Sequence, residues 1–195
     1  MKHLQHFQQF QQVSPKGTSD STSSTILAID PGYGRCGWAI LEKTDNQKLV
    51  TDNRQLTTDN RLIACDLIET SGKKSIPDRL KELYDAIEYL IKKFKPKELA
   101  IESLFWFKNQ KTVMGVSQAR GVIIVCARNH NLFVSEYTPL QVKQAVVGYG
   151  KATKNQIQKM ICLHLPHQHV AKQDDTADAI AIGLTHLQTN KYLKC

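Results

Sequence analysis

The chain has 195 residues, 41% hydrophobic and 23% charged, a balance that suits one soluble globular domain with its own core. No run approaches the ~18 apolar residues of a membrane span, and the Gln- and His-rich start, HLQHFQQFQQV, lacks the apolar stretch of a secretory signal, so a cytoplasmic location is expected. The net charge of +8 is segregated: between Glu102 and Asp174 nine cations (Lys108, Lys111, Arg120, Arg128, Lys143, Lys151, Lys154, Lys159, Lys172) accompany one anion, Glu136, a pattern that fits a polyanion-binding surface or a merely solvated basic face.

Residues 1–24 are polar and aperiodic, and a disordered tail is expected there. Order begins at TILAIDPG, where Ile26 to Ile29 read as a short buried strand closed by the turn-forming Asp30-Pro31-Gly32. Cys36 to Leu41 reads as a second strand, in a hairpin with the first. The triplets Thr44-Asp45-Asn46, Thr51-Asp52-Asn53 and Thr58-Asp59-Asn60 then recur every seven residues. Asp-Asn pairs are poor helix residues and apolar positions are sparse, so this is a polar insert over 44–60 that lengthens a hairpin loop rather than a coiled coil. Leu62 to Thr70 is a third strand.

Ile76, Leu80, Leu83, Ile87, Leu90, Ile91 and Phe94 mark one face of an amphipathic helix, with Pro77 in its first turn and Pro96 beyond its end. Leu99 to Glu102 is a fourth strand, Asn109 to His130 a long helix whose Gly115 and Gly121 suggest close packing, and Leu132 to Tyr137 a fifth strand. Helices follow around 140–147 and 154–165. The last runs over about 174–188, capped by Asp174, so that one domain over 25–190 is followed by a short tail at 191–195. Three strands in a meander, then alternating helix and strand, predict an α/β domain with a mixed five-stranded sheet flanked by helices, the layout of the ribonuclease-H-like fold.

Asp30 ends the first strand and Glu102 the fourth, so in that layout their side chains meet at one sheet edge. Asp175 and Asp178 lie three apart at the start of the last helix and share a face, where the helix dipole favours acids. Plain alternatives exist singly: a turn residue for Asp30, a surface acid for Glu102, a helix cap for Asp175. Jointly placed, four carboxylates form a hard oxygen set of the kind Mg²⁺ takes. Two such ions about 4 Å apart activate a water and stabilise the departing oxygen of a phosphodiester.

The segments ILAIDPGYGRCGWAI, AIESLFWFKNQKTVMGVSQARGV, EYTPLQVKQAVVGYGKATKNQIQKM and DDTADAIAIGLTH together resemble the motifs of the RuvC family of Holliday junction resolvases, in the right order and over roughly residues 25 to 188. The resemblance implies a magnesium-dependent endodeoxyribonuclease that nicks four-way junctions in recombination and repair. Asp30, Glu102, Asp175 and Asp178 would be its catalytic and metal-binding set, with two Mg²⁺ ions that Mn²⁺ can replace. Phe105 would engage bases at the junction core, as an aromatic face can. Lys143 and Lys154 would contact phosphates, while Lys151 and Arg120 would contribute to the DNA-binding face in a more general electrostatic or structural way. The helix carrying Ser117 to Gly121 would form a homodimer interface, and a RuvA–RuvB branch-migration complex would be a partner.

Asp30-Pro-Gly with Gly34 and Gly37 also resembles the phosphate loop of actin-like ATPases and sugar kinases, but those need two lobes and roughly twice this length. A pre-rRNA-processing nuclease of related fold is a second rival, disfavoured by the closing DDTADAIA segment. A non-catalytic junction binder is a third, disfavoured by the presence of all four acids. The cysteines (Cys36, Cys65, Cys126, Cys162, Cys195) are odd in number and contain no C-x-x-C pair, which argues against a disulfide framework or a zinc site. Cys126 and Cys162 lie among apolar residues and are expected in the core. His164, His167 and His169 are expected at a surface helix end rather than on a metal.

Overall fold

The computed structural model describes residues 25–43, 60–104, 110–165 and 174–192. The tail over 1–24, most of the polar insert, and Phe105 lie outside the described residues. Five strands, β1 (Thr25–Asp30), β2 (Arg35–Lys43), β3 (Asn60–Glu69), β4 (Glu98–Glu102) and β5 (Phe133–Tyr137), form one sheet in the order β3-β2-β1-β4-β5. β1 to β3 are an antiparallel meander, whereas β4 runs parallel to β1 and β5 parallel to β4. Among the described residues five helices accompany them: α1 (Ile76–Phe94), α2 (Gln110–Asn129), α3 (Pro139–Val147), α4 (Lys154–His164) and α5 (Asp174–Tyr192). This is the mixed sheet with flanking helices of the ribonuclease-H-like fold, as the sequence pattern predicts.

Alternation along the strands divides the core in two. Leu27, Ile29, Trp38, Ile40, Leu99 and Ile101 face α1 and α2, meeting Leu83, Ile87, Leu90, Ile123 and Cys126. Ile26, Ala28, Ala39, Leu41 and Ala100 face the other way, against α5, α3 and α4. α1 begins and ends by local rules: Ser75 accepts from the Asp78 N–H, Pro77 occupies the first turn, and Lys95 turns left-handed at φ 50°. Thr138 and Thr153 cap α3 and α4, each in a reciprocal capping box with the glutamine three residues on.

From Ala179 to Leu187 α5 is buried at every position, and most of its residues there are apolar. Ala177, Ala179, Ile180, Ala181, Ile182, Leu184 and Leu187 are all buried. Small residues let it approach the sheet closely. A Cβ placed on Gly183 would stand 2.3 Å from Leu41 Cδ1, and one on Gly37 would stand 2.0 Å from the Asp175 carbonyl oxygen. Gly37 is therefore where the N-terminus of α5 rests on β2.

Several boundaries and environments differ from the sequence expectation. Asp174 is the first residue of α5 rather than its cap, and its carboxylate accepts from Gln158 Nε2 at 3.3 Å. No glycine or proline follows Gly183, so α5 continues to Tyr192 and takes in the start of the expected tail. Cys126 is buried, but Cys162 is exposed because the face of α4 turned to the core is carried by Ile157 and Ile161. No described helix is long and apolar enough to cross a membrane.

Replacing Gly37 by alanine should force α5 off β2 and cost about 1–3 kcal/mol, as overpacked cores do. Thermal and denaturant unfolding would measure the loss, and an unchanged midpoint would show that this contact does not constrain the helix.

Candidate active site

The strand registers bring the acids together. In the parallel β1–β4 pair Ala28 lies level with Ala100 and Ile29 with Ile101, so the next step sets Asp30 beside Glu102 at the carboxyl ends of both strands. Both side chains fall on the face that receives α5. Across the hairpin, Asp30 pairs with Gly37, and the Asp175 backbone occupies the space a side chain at Gly37 would fill. Gly37 thus joins the first acid to the helix that carries the last two. Asp178 follows one turn along α5, on the face of Asp175.

This proximity shifts the acids' ionisation. Asp30 is pushed from its ordinary 3.8 up to about 8, first by burial and then by Glu102, Asp178 and Asp175, with Lys154 opposing. The carboxyl of Asp178 is also raised, by burial first and by Asp174 and Asp175, and is lowered by Lys154 and Lys143. Two cations hold the cluster. Arg35 Nε stands 3.0 Å from Asp175 Oδ2 and 3.7 Å from Glu69 Oε1. Lys154 Nζ lies 3.5 Å from Asp174 Oδ2 and 4.0 Å from Asp178 Oδ2, and its pKa is raised chiefly by Asp178. Arg35, close after the Asp30 turn, is a site residue that the sequence pattern does not single out; its only signal there is its position at the start of β2.

The donor set is all carboxylate, which suits a hard divalent cation and not a thiolate- or imidazole-seeking metal. Among the described residues no three acidic, histidine or cysteine groups already converge on one point. Arg35 and Lys154 engage Asp175 and Asp178, and a cation entering the cluster would compete with them.

The remaining predicted residues fall on two sides. Lys143 on α3 and Lys154 at the start of α4 both act on Asp178 and lie at the acidic cluster. Lys151 is exposed in the loop between those helices. Arg120 instead pairs with Glu136 across α2 and β5, with only 19% of its side chain exposed, so most of its guanidinium is withdrawn from any ligand. His164 contacts the Val146 carbonyl oxygen at 3.3 Å; His167 and His169 lie outside the described residues. Tyr33, in the turn after Asp30, packs its ring on Gly115 of α2 and stacks under Arg79, whose guanidinium carbon is 4.5 Å from the ring centroid.

Sheet order, register and this carboxylate edge together define the ribonuclease-H-like class of nucleases. The family model described as crossover junction endodeoxyribonuclease RuvC matches residues 26–186. The chain is 41% identical over 163 residues to the crossover junction endodeoxyribonuclease RuvC of Natranaerobius thermophilus, covering 84% of this chain and 94% of that one. It is 42% identical over 167 residues to that of Finegoldia magna, covering 86% and 94%. Thermus thermophilus RuvC in complex with a Holliday junction substrate superposes with a TM-score of 0.75 at 25% identity, covering 87% of this chain and 96% of that one. The chain belongs to the RuvC family.

Because Asp30 binds more protons folded than unfolded between its ordinary pKa of 3.8 and about 8, its burial among the acids makes stability fall as pH rises through that window. In metal-free protein Asp30→Asn should therefore melt higher than the parent, with a gap that widens from about pH 5 to about pH 8. Added Mg²⁺ should narrow the gap by binding the parent preferentially. Calorimetry across pH checks both; a gap independent of pH would refute the assignment.

Proposed function

We propose that this chain resolves four-way Holliday junctions by paired, symmetric nicks, hydrolysing phosphodiester bonds at Asp30, Glu102, Asp175 and Asp178. The observation that carries the reading is that these acids neighbour one another at one sheet edge, coupled in charge and beside Lys143 and Lys154, which suits a phosphate held against a cation-binding centre. Family membership supports it, as does the junction bound by the Thermus thermophilus relative. The proposed setting is homologous recombination and DNA repair in the cytoplasm, with a RuvA–RuvB branch-migration complex as partner on family grounds.

The proposed cofactor is Mg²⁺, two ions per site, with Mn²⁺ as a substitute. When bound, it supplies Lewis acidity and compensating positive charge at the carboxylates. The chain's own residues do the rest. Asp30 and Glu102 are carried by neighbouring strands and Asp175 and Asp178 by one helix face, so the four carboxylates border one centre and would close on a cation by side-chain movement, Asp175 leaving Arg35 and Asp178 leaving Lys154. Lys154 and Lys143 place point charges where a phosphate would gain negative charge during attack. Phe105, three residues beyond the end of β4, is assigned to base contact at the junction centre. Lys151 extends the basic rim, whereas Arg120, paired with Glu136 on the side of α2, is given a structural role.

Two nicks related by symmetry require two sites, and α2 offers a face for a homodimer. Met114 and Val125 are 72% and 55% exposed, and open space surrounds Gly121 between them. A glycine flanked by exposed Met114 and Val125, with the exposed polar Ser117 and Gln118 on the same face, suits the close approach of a second copy about a two-fold axis.

Cleavage of a synthetic four-way junction and its matching duplex in Mg²⁺ tests the reading, with the natural protein and Asp30→Asn compared. Paired nicks on the junction alone, abolished in the variant while binding persists, are expected. Equal cutting of both substrates would make the chain a general nuclease, and tight binding without cutting would make it a binding module. Val125→Glu should convert dimer to monomer in sedimentation and replace paired nicks by single ones; a dimer that survives would move the interface elsewhere.

A further inference from the structure

Between α3 and α4 the chain turns through Gly148, Tyr149 and Gly150, then passes Lys151 on its way to Thr153 and Lys154. Three constraints fix this turn. Gly148 takes the left-handed conformation at φ 91°, its N–H bonding back to the Gln144 carbonyl to close α3. Gly150 lies against α3 so closely that a Cβ there would stand 2.2 Å from Leu140 Cδ1. The Tyr149 hydroxyl donates to Gln156 Oε1 at 2.8 Å. That same oxygen accepts from the Thr153 N–H at 2.8 Å and the Thr153 hydroxyl at 3.0 Å, completing the capping box of α4.

The result is an aromatic side chain tied to a helix start by its far end, yet 46% exposed. An exposed tyrosine held this way loses little conformational freedom on binding, which is the property of a preformed contact. Its neighbours define the ligand. Lys151 is exposed two residues on, and Lys154 begins the helix to which the hydroxyl is tied and reaches Asp174 and Asp178. With Lys143 on α3, the ring lies on a cationic helix–turn–helix unit that borders the carboxylate centre. The hydroxyl hydrogen is already committed to Gln156, so the group has no donor to offer a phosphate oxygen. What remains for a ligand is the flat apolar face of the ring.

We infer that Tyr149 is a further DNA-binding residue, a fixed platform that stacks on a nucleobase of the strand held at the carboxylate centre while Lys143, Lys151 and Lys154 hold its phosphates. The inference rests on the junction-cleaving reading above and assigns part of substrate recognition to a turn outside the acidic cluster. A stacking contact is uncharged, so it separates from the lysine contacts by its salt dependence.

The test is junction binding by the full chain in Ca²⁺, measured at several salt concentrations for Tyr149→Ala, Tyr149→Phe, and the pair Lys143→Ala with Lys154→Ala. Loss of an aromatic platform weakens binding by about 5- to 100-fold, so Tyr149→Ala should fall in that range with the parent's salt slope. Tyr149→Phe, which keeps the ring and loses the tie to Gln156, should retain most of the affinity. It also separates loss of the face from disturbance of α4, since it breaks the same hydrogen bond. The lysine variants should lower both affinity and salt slope. If the lysine variants weaken binding while Tyr149→Ala does not, the platform is wrong and the junction reading stands. If Tyr149→Phe is as damaging as Tyr149→Ala, the hydroxyl rather than the ring matters and the platform is again wrong. If none of the variants changes junction affinity, the DNA face lies elsewhere and both inferences fail.

Discussion

Helix α5 has to reach the sheet before the acids can meet, and the contact of its first turn with Gly37 decides whether it does. The Asp175 carbonyl oxygen stands where any β-carbon at position 37 would be, while Gly37 is the hairpin partner of Asp30. Further along the same face Ala28, Ala39 and Ala100 keep the sheet shallow, and Gly183 in the helix fits against Leu41 and Ala28. Bulk at any of these positions would lift Asp175 and Asp178 away from Asp30 and Glu102. A closely packed interior does not absorb such a change without strain.

Bringing the acids together has an electrostatic cost that the surrounding residues answer only in part. Burial and three neighbouring carboxylates hold Asp30 up to about 8. Arg35 and Lys154 offset the repulsion from opposite sides of α5, one on β2 and one on α4. Both are more than half exposed, and screening by water limits what exposed pairs contribute. The cluster therefore stays under-compensated, which makes it receptive to added positive charge. Folding stability, cation binding and the ionisation of Asp30 are then linked properties of one group of side chains.

Much of this arrangement is legible in the sequence, because strands and amphipathic helices write their periodicity directly into it. Ile26 to Ile29 and Leu99 to Ile101 read as buried strands, and of the seven apolar positions of α1 all but the exposed Ile76 trace its inner face. The four acids can be placed because each sits at the end of a strand or the start of a helix. Long-range contacts leave no such trace. The Arg35–Asp175 pair joins residues far apart in the chain, and nothing in DPGYGR distinguishes that arginine from a solvated one. Cys162 misleads because apolar neighbours in sequence do not share a helix face at successive positions. The support given by Gln156 to Tyr149 depends on a capping box closing behind it, which a Thr-x-x-Gln pattern suggests but does not aim.

The far part of α5 is tied as firmly as its start, and this bears on how the centre responds to a ligand. His186, buried in α5, contacts the Tyr137 hydroxyl through Nδ1 at 2.7 Å and Glu98 Oε2 through Nε2 at 2.7 Å. One imidazole thus links the helix to both β4 and β5. These are the strands whose carboxyl ends present Glu102 and its partner Tyr137. Held by Gly37 and Arg35 at one end and by His186 further along, α5 has little freedom to slide. Adjustment to an entering cation or phosphate must then come from side chains, with Asp175 leaving Arg35 and Asp178 leaving Lys154, rather than from movement of the helix. Lys154 would keep its 3.5 Å contact with Asp174 in that event, so only part of its charge would become available to a phosphate.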